Sequence, residues 1–299
     1  MNRCPRDPGK GRSDLHEKIN LLLIVYSAIV TTRYPFLISI PHGGTDVPTE
    51  LTGRLALARE ELRYYCDPMT RELYDFRSSA RAHIDTPVSR MVVDLNRPPL
   101  PLPPRDPDGI IKLQAVDGKP VYREGMFPDM TLIHRVMMAW YFPYHQRIDE
   151  LIDQHDVKIA FDCHSMLPVG SAEQKDAGTE RPLFCLGNNG DRKGRAKKNS
   201  IATCPESWVN TLADEFRSEF SLNREVAINN PFSGGFISNA HYWRKGVPWI
   251  QIEVNRALYE PEPGSGAGQS TDCDGAVKIL RERIWRVLTG FWDSHDADI

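Results

Sequence analysis

Three short apolar runs constrain the fold more than anything else in the chain. They are PFLISI (Pro35–Ile40), VKIAF (Val157–Phe161) and VPWIQI (Val247–Ile252). Each has the length of a buried strand and each leads directly into polar residues. Between them lie stretches with helical periodicity: residues 49–65 with a Thr cap, 70–80, 129–155 with a kink or break expected near Pro143, 205–216, and a closing helix from about Asp274 to Trp292. Further strands are expected at SRMVVDLNRPP (89–99), RPLFCLGNN (181–189) and EVAI (225–228). Strands that alternate with helices and are themselves nearly all apolar predict an α/β fold. The expected architecture is a mixed, largely parallel sheet flanked by helices on both faces.

The segment from Pro98 to about Asp129 is rich in Pro and Gly and lacks periodicity, which predicts a lid or a wall of a binding site. A flexible Gly/Ser loop is expected at 262–275. No linker or internal repeat divides the 299 residues. The expected organisation is a disordered leader over 1–18 and a single domain over 19–299. The apolar run INLLLIVYSAIV (19–30) is too short to span a bilayer and reads as a strand, or a helix running into one. A net charge of −3 gives no reason to expect nucleic acid, and the basic run RKGRAKK (192–198) reads as a solvated loop. Six cysteines without a C-x-x-C pair point to reduced thiols in a cytoplasmic setting.

Polar clusters stand at four expected strand ends: His42; Asp94, Asn96 and Arg97; Asp162, His164 and Ser165; Glu253, Asn255 and Arg256. Ligands of α/β sheets gather beyond the carboxyl ends of strands, so four such endings predict a site. His42 and His164 suit a pair of zinc ligands. A third ligand is open among Asp46, Asp67 and Asp162. Asp162 shares a strand face with His164 and either ligates or orients it, whereas Cys163 points to the opposite face. Glu253, in the apolar context WIQIEV, needs a compensating partner. Either it is the general base that takes a proton from water, or it pairs with Arg97 or Arg256. Both arginines follow an asparagine, in DLNRPP and EVNRAL, and a guanidinium fork suits a carboxylate. Gly234 and Gly235, in PFSGGFIS, allow close backbone approach to a ligand.

The segments ISIPHGGTDVP, RELYDF, VVDLNRP, FDCHSM, LFCLGNNG, PFSGGFI and IQIEVNRALY occur in this order over about residues 35–260. In these the chain resembles the N-formylglutamate amidohydrolases, the deformylases of histidine breakdown. That family is similar in turn to the zinc carboxypeptidases and their phosphorylase/hydrolase-like fold. The resemblance implies that His42 and His164 hold Zn2+, or another divalent ion, with Asp67 as third ligand. Carboxypeptidases place a glutamate three residues after the first histidine, where this chain has Thr45. It further implies Glu253 as the base and places Arg97, with Asn96, at the substrate carboxylate; by residue type Arg256, Gly234 and Gly235 are expected to bind substrate as well. Asp162 would orient His164. The implied activity is hydrolysis of a small N-acyl amino acid, N-formyl-L-glutamate first among them, by a cytoplasmic monomer or small homo-oligomer without nucleic-acid or membrane partners. The alternatives are a carboxypeptidase-like peptidase and a catalytically silent binding protein. The loops 100–125 and 170–182 depart from the family pattern and would shape the acyl and side-chain pockets.

Overall fold

Side chains of the central strands alternate between two apolar cores, and the sheet between them carries the polar cluster on one face only. The computed structural model describes residues 33–260 and 273–296. Its strands are β1 (Tyr34–Ile40), β2 (Ala80–Asp85), β3 (Ile159–Met166), β4 (Phe184–Gly187), β5 (Val226–Ile228) and β6 (Trp249–Asn255). They form one sheet in the order β2-β1-β3-β6-β4-β5. The first four strands of that order run parallel, β4 is antiparallel to β6, and β5 is parallel to β4. This is the expected mixed, mostly parallel sheet. The proposed boundary at residue 18 and the apolar run 19–30 lie outside the described residues, as does most of the Gly/Ser loop.

The helices are α1 (Arg59–Tyr65), α2 (Thr70–Leu73), α3 (Met130–Val136), α4 (Phe142–Gln154), α5 (Glu206–Phe220), α6 (Phe236–Lys245) and α7 (Cys273–Asp296). Phe36, Ile38, Phe161, Cys163, Ile250 and Ile252 share one core with residues of α5 and α7. Leu37, Ala160 and Trp249 point the other way, into a second core with residues of α1, α3, α4 and α6. Because residues two apart share a face, Ser39, Asp162, His164, Gln251 and Glu253 all lie on this second side. Chain connections leave β1 toward β2 on one side and β3 lies on the other, so the carboxyl ends of β1 and β3 flank a topological switch point.

Several local expectations are corrected. Residues 89–99 form turns, not a strand. Ser89 Oγ accepts the Met91 amide at 3.2 Å and Asp94 Oδ1 accepts the Asn96 amide at 2.9 Å. Such local bonds compete with a strand ladder, while Val92, Val93 and Leu95 bury themselves from the loop. Of residues 49–65 only Arg59–Tyr65 is helical, starting where Glu61 accepts the Ala58 amide at 2.8 Å and not at a threonine. The helix expected over 70–80 stops at Leu73, and Ala80 opens β2. Near Pro143 the regular α-helix is interrupted but not ended. The π-helical segment Met137–Tyr141 precedes it and places Pro143 in the first turn of α4, where its missing N–H costs nothing. The sequence reading also missed α6, which Gly235 caps. The segment 98–129 is a loop, as expected.

Candidate active site

His42 lies two residues beyond the end of β1, and its carbonyl accepts the Asp67 amide at 2.9 Å. That bond returns the α1–α2 connection to the sheet edge. His164 is within β3, in register with Glu253 of β6. The imidazoles of His42 and His164 are 4.7 Å apart between centroids. Asp67 Oδ2 is 3.0 Å from His164 Nδ1 and 3.6 Å from His42 Nδ1. Ligand atoms of the three residues lie within 4.8 Å of one another, and all three residues are buried.

The opposite nitrogens are tied to carboxylates. His42 Nε2 donates to Asp94 Oδ1 at 2.7 Å, and His164 Nε2 lies 3.1 Å from Asp162 Oδ2. Asp162 is held in turn by Ser39 Oγ at 3.3 Å and by Asn96 Nδ2 at 2.9 Å. These bonds set both rings with Nδ1 toward Asp67. His42 Nδ1 is buried with no hydrogen-bond partner. Two imidazole nitrogens and one carboxylate oxygen form the donor set of an open zinc site, and the orphaned Nδ1 is a lone pair such an ion would use. The residues therefore fit a divalent metal. In the sequence Asp94 stands in a polar cluster but has no assigned role. Its signal was its place in DLNR, two residues before Asn96.

Asp94 also accepts from Lys112 Nζ at 3.0 Å and Arg90 at 3.1 Å, and Arg90 lies 3.5 Å from Asp67 Oδ1. Burial alone would raise the Asp94 carboxyl, but Lys112, His42 and Arg90 outweigh it and hold it well below the usual carboxylate range. The balance at Asp67 is similar, with His164 and His42 overcoming burial. Glu253 behaves oppositely. Burial pushes its carboxyl up to about 7 against the opposing charge of His164, while Gln251 Nε2 donates to its Oε1 at 2.7 Å.

A cavity of about 290 Å³ opens over these groups, walled in part by the loop residues Asp108, Gln114 and Gln174. Arg97 lines it and bonds Asp108. Asn96 is occupied within the protein and offers no spare amide: its Nδ2 lies 2.9 Å from Asp162 Oδ2 and 3.1 Å from His164 Nε2, and its Oδ1 accepts the Ile237 amide at 2.8 Å. Arg256 donates to the carbonyls of Tyr64, at 2.7 Å, and Cys66, so it braces the loop that carries Asp67. The close approach that Gly235 permits is to Asn96, because a Cβ there would lie 2.3 Å from the amide. Gly234 has φ +133°, a conformation that favours glycine, and it lines the cavity. Asp46 lies outside the metal-competent trio. Cys163 is buried on the other face, and burial pushes its thiol well up. The basic run 192–198 is an exposed loop apart from Gly194. Helix α4 and the π segment pin the DLNR loop from behind: Tyr141 Oη donates to the Arg97 carbonyl at 2.8 Å and His145 Nε2 to that of Leu95 at 3.1 Å.

The profile of the N-formylglutamate amidohydrolase family matches residues 34–260. Among curated proteins, the N-formylglutamate deformylase of Pseudomonas aeruginosa is 28% identical over 271 residues, covering 86% of this chain and 93% of that protein. The N-formylglutamate deformylase of Pseudomonas putida is 31% identical over 245 residues, covering 77% and 84%. Among solved structures, the N-formylglutamate amidohydrolase from Ralstonia eutropha JMP134 superposes with a TM-score of 0.66 at 22% identity, covering 88% of this chain and 95% of that one.

Proposed function

The chain belongs to the N-formylglutamate amidohydrolase family and is an amidohydrolase, and on that premise we propose that it cleaves N-formyl-L-glutamate to glutamate and formate with a bound zinc ion. The observation that carries the reading is the convergence of His42 Nδ1, His164 Nδ1 and Asp67 Oδ2 beside the buried Glu253. Those three atoms would hold the metal, which supplies Lewis acidity to the scissile carbonyl and to water. Glu253 is the general base. Its carboxylate takes a proton from the attacking water as the C–O bond forms, then gives it to the leaving nitrogen as the C–N bond breaks. Asp94 and Asp162 hold the two imidazoles in place throughout. Arg97 binds a substrate carboxylate and sets the formamide over the base. The loops walling the cavity would shape the acyl pocket.

Purified protein should contain near-stoichiometric zinc and release glutamate from N-formyl-L-glutamate faster than from N-acetylglutamate or short peptides. Turnover confined to peptides would replace this reading with a carboxypeptidase. Glu253→Gln should keep its metal and lose about 10²–10⁴ in kcat. Metal analysis with steady-state kinetics checks both, and an active Glu253→Gln enzyme would remove Glu253 from its role.

A further inference from the structure

Arg97 is already carrying a carboxylate. Asp108 Oδ2 accepts from Arg97 Nη2 at 2.8 Å, and the Asp108 carbonyl accepts from Arg97 Nε at 3.0 Å. The other oxygen, Oδ1, takes the ammonium of Lys112. Asp108 belongs to the loop 98–129, and its side chain is 61% exposed against 31% for Arg97. The remaining arginines of the cavity are differently placed. Arg181 forms a two-point pair with Asp176 at 2.7 and 3.0 Å and also bonds Gln174. Arg256 is committed to backbone carbonyls. Arg90 bridges Asp67 and Asp94, behind the metal-competent trio. Arg97 is therefore the cavity arginine whose close carboxylate partner is a solvent-facing side chain, the buried Asp94 lying farther off at 4.0 Å from its Nη1. Such a pair is weak, screened by water and readily exchanged for an incoming carboxylate.

We propose that Asp108 is a built-in competitor for the substrate's carboxylate and so a specificity-determining residue. The inference rests on the reading of Arg97 as the carboxylate receptor. Substrate binds by exchange: its carboxylate replaces that of Asp108 on the guanidinium, and the charge beside Arg97 is unchanged. Lys112 keeps Asp94 at 3.0 Å during the exchange, so the support of His42 is not disturbed. A neutral ligand cannot replace the lost ion pair, and the cavity thereby selects anionic N-acyl amino acids. The same competition hastens departure of the carboxylate product.

Removing the competitor should tighten binding, the opposite of what loss of a purely structural ion pair would do. In Asp108→Asn, KM for N-formyl-L-glutamate and the inhibition constant of L-glutamate should each fall by about two- to fivefold, the scale of one solvent-screened ion pair. The melting temperature should fall only modestly, because Lys112 loses the Asp108 charge but keeps that of Asp94. Asp108→Glu, which keeps a carboxylate within reach, should resemble wild type. In an Arg97→Met background Asp108→Asn should bring no gain. If wild type does not turn over N-formyl-L-glutamate, or Arg97→Met leaves its KM unchanged, the premise about Arg97 fails and takes the proposal with it. If wild type is active and Arg97→Met raises KM, yet Asp108→Asn leaves both constants unchanged or raises them, the reading of Arg97 stands and the competitor role is overturned.

Discussion

At the scale of single residues, the candidate site depends on what sits behind each imidazole. Asp94 accepts from His42 while Lys112 and Arg90 neutralise it, so its carboxylate is fixed in charge and position. Asp94→Asn keeps the shape but weakens the hold on His42 Nε2. It should lower zinc affinity about 10–100-fold, as read by titration against a chromogenic chelator. His42, His164 and Glu253 could be picked out of the sequence because each is a polar residue joined to an apolar run, a costly placement without a purpose. Asp94 could not be given its role that way. Its partner is 52 residues away, and only the folded loop shows which carboxylate meets which ring. Asn96, Arg97 and Arg256 show the same limit from the other side. The residue type was informative, but the partner was not.

Among elements, the buried strands β1, β3 and β6 were legible because their apolar runs are uninterrupted. β2 carries the apolar/polar alternation of a half-buried strand in ARAHID, but the helical pattern of 70–80 runs into its first residue and masks it. The loop 89–99 has the composition of a strand because its valines and leucine are buried without being extended. Burial and extension leave the same mark on composition. The start of α6 was hidden in a Gly-Gly turn, and there the structure gives a sharp contrast. Gly235→Ala places a methyl against the Asn96 amide, whereas a Cβ on Gly53 would meet nothing within 4 Å. Gly235→Ala should cost about 1–3 kcal/mol in urea unfolding through overpacking. Gly53→Ala should stay within about 0.5 kcal/mol of wild type. Equal effects would show that the Asn96 contact does not constrain this turn.

At the scale of the whole molecule, acid resistance depends on carboxylates whose folded and unfolded ionisation differ. Asp85 closes β2 against α2, accepting from Arg71 at 2.9 Å and from Arg77. A hydrogen bond from His83, together with those arginines, overcomes its burial and holds its carboxyl well below the usual range. A depressed folded pKa contributes stability that is fully present above the unfolded value of about 3.9 and is lost as pH falls below it. The stability gap between wild type and Asp85→Asn should therefore be full at pH 6 and shrink steadily below about pH 4. A gap independent of pH would assign the effect to packing. The parallel order around the β1–β3 switch point was implied by the alternation of strands and helices, but the antiparallel β4 was not, since strand direction leaves no trace in composition. The π-helical turn at Met137–Tyr141 has a consequence in the history of the sequence. It is in effect an α-helix carrying one inserted residue, and deleting that residue would rotate all that follows by about 100°. Tyr141 and His145 would then leave the carbonyls of Arg97 and Leu95 together. Descendants that lost the extra codon should have replaced both side chains at once, so an alignment gap here marks a lineage that secured its DLNR loop by other means.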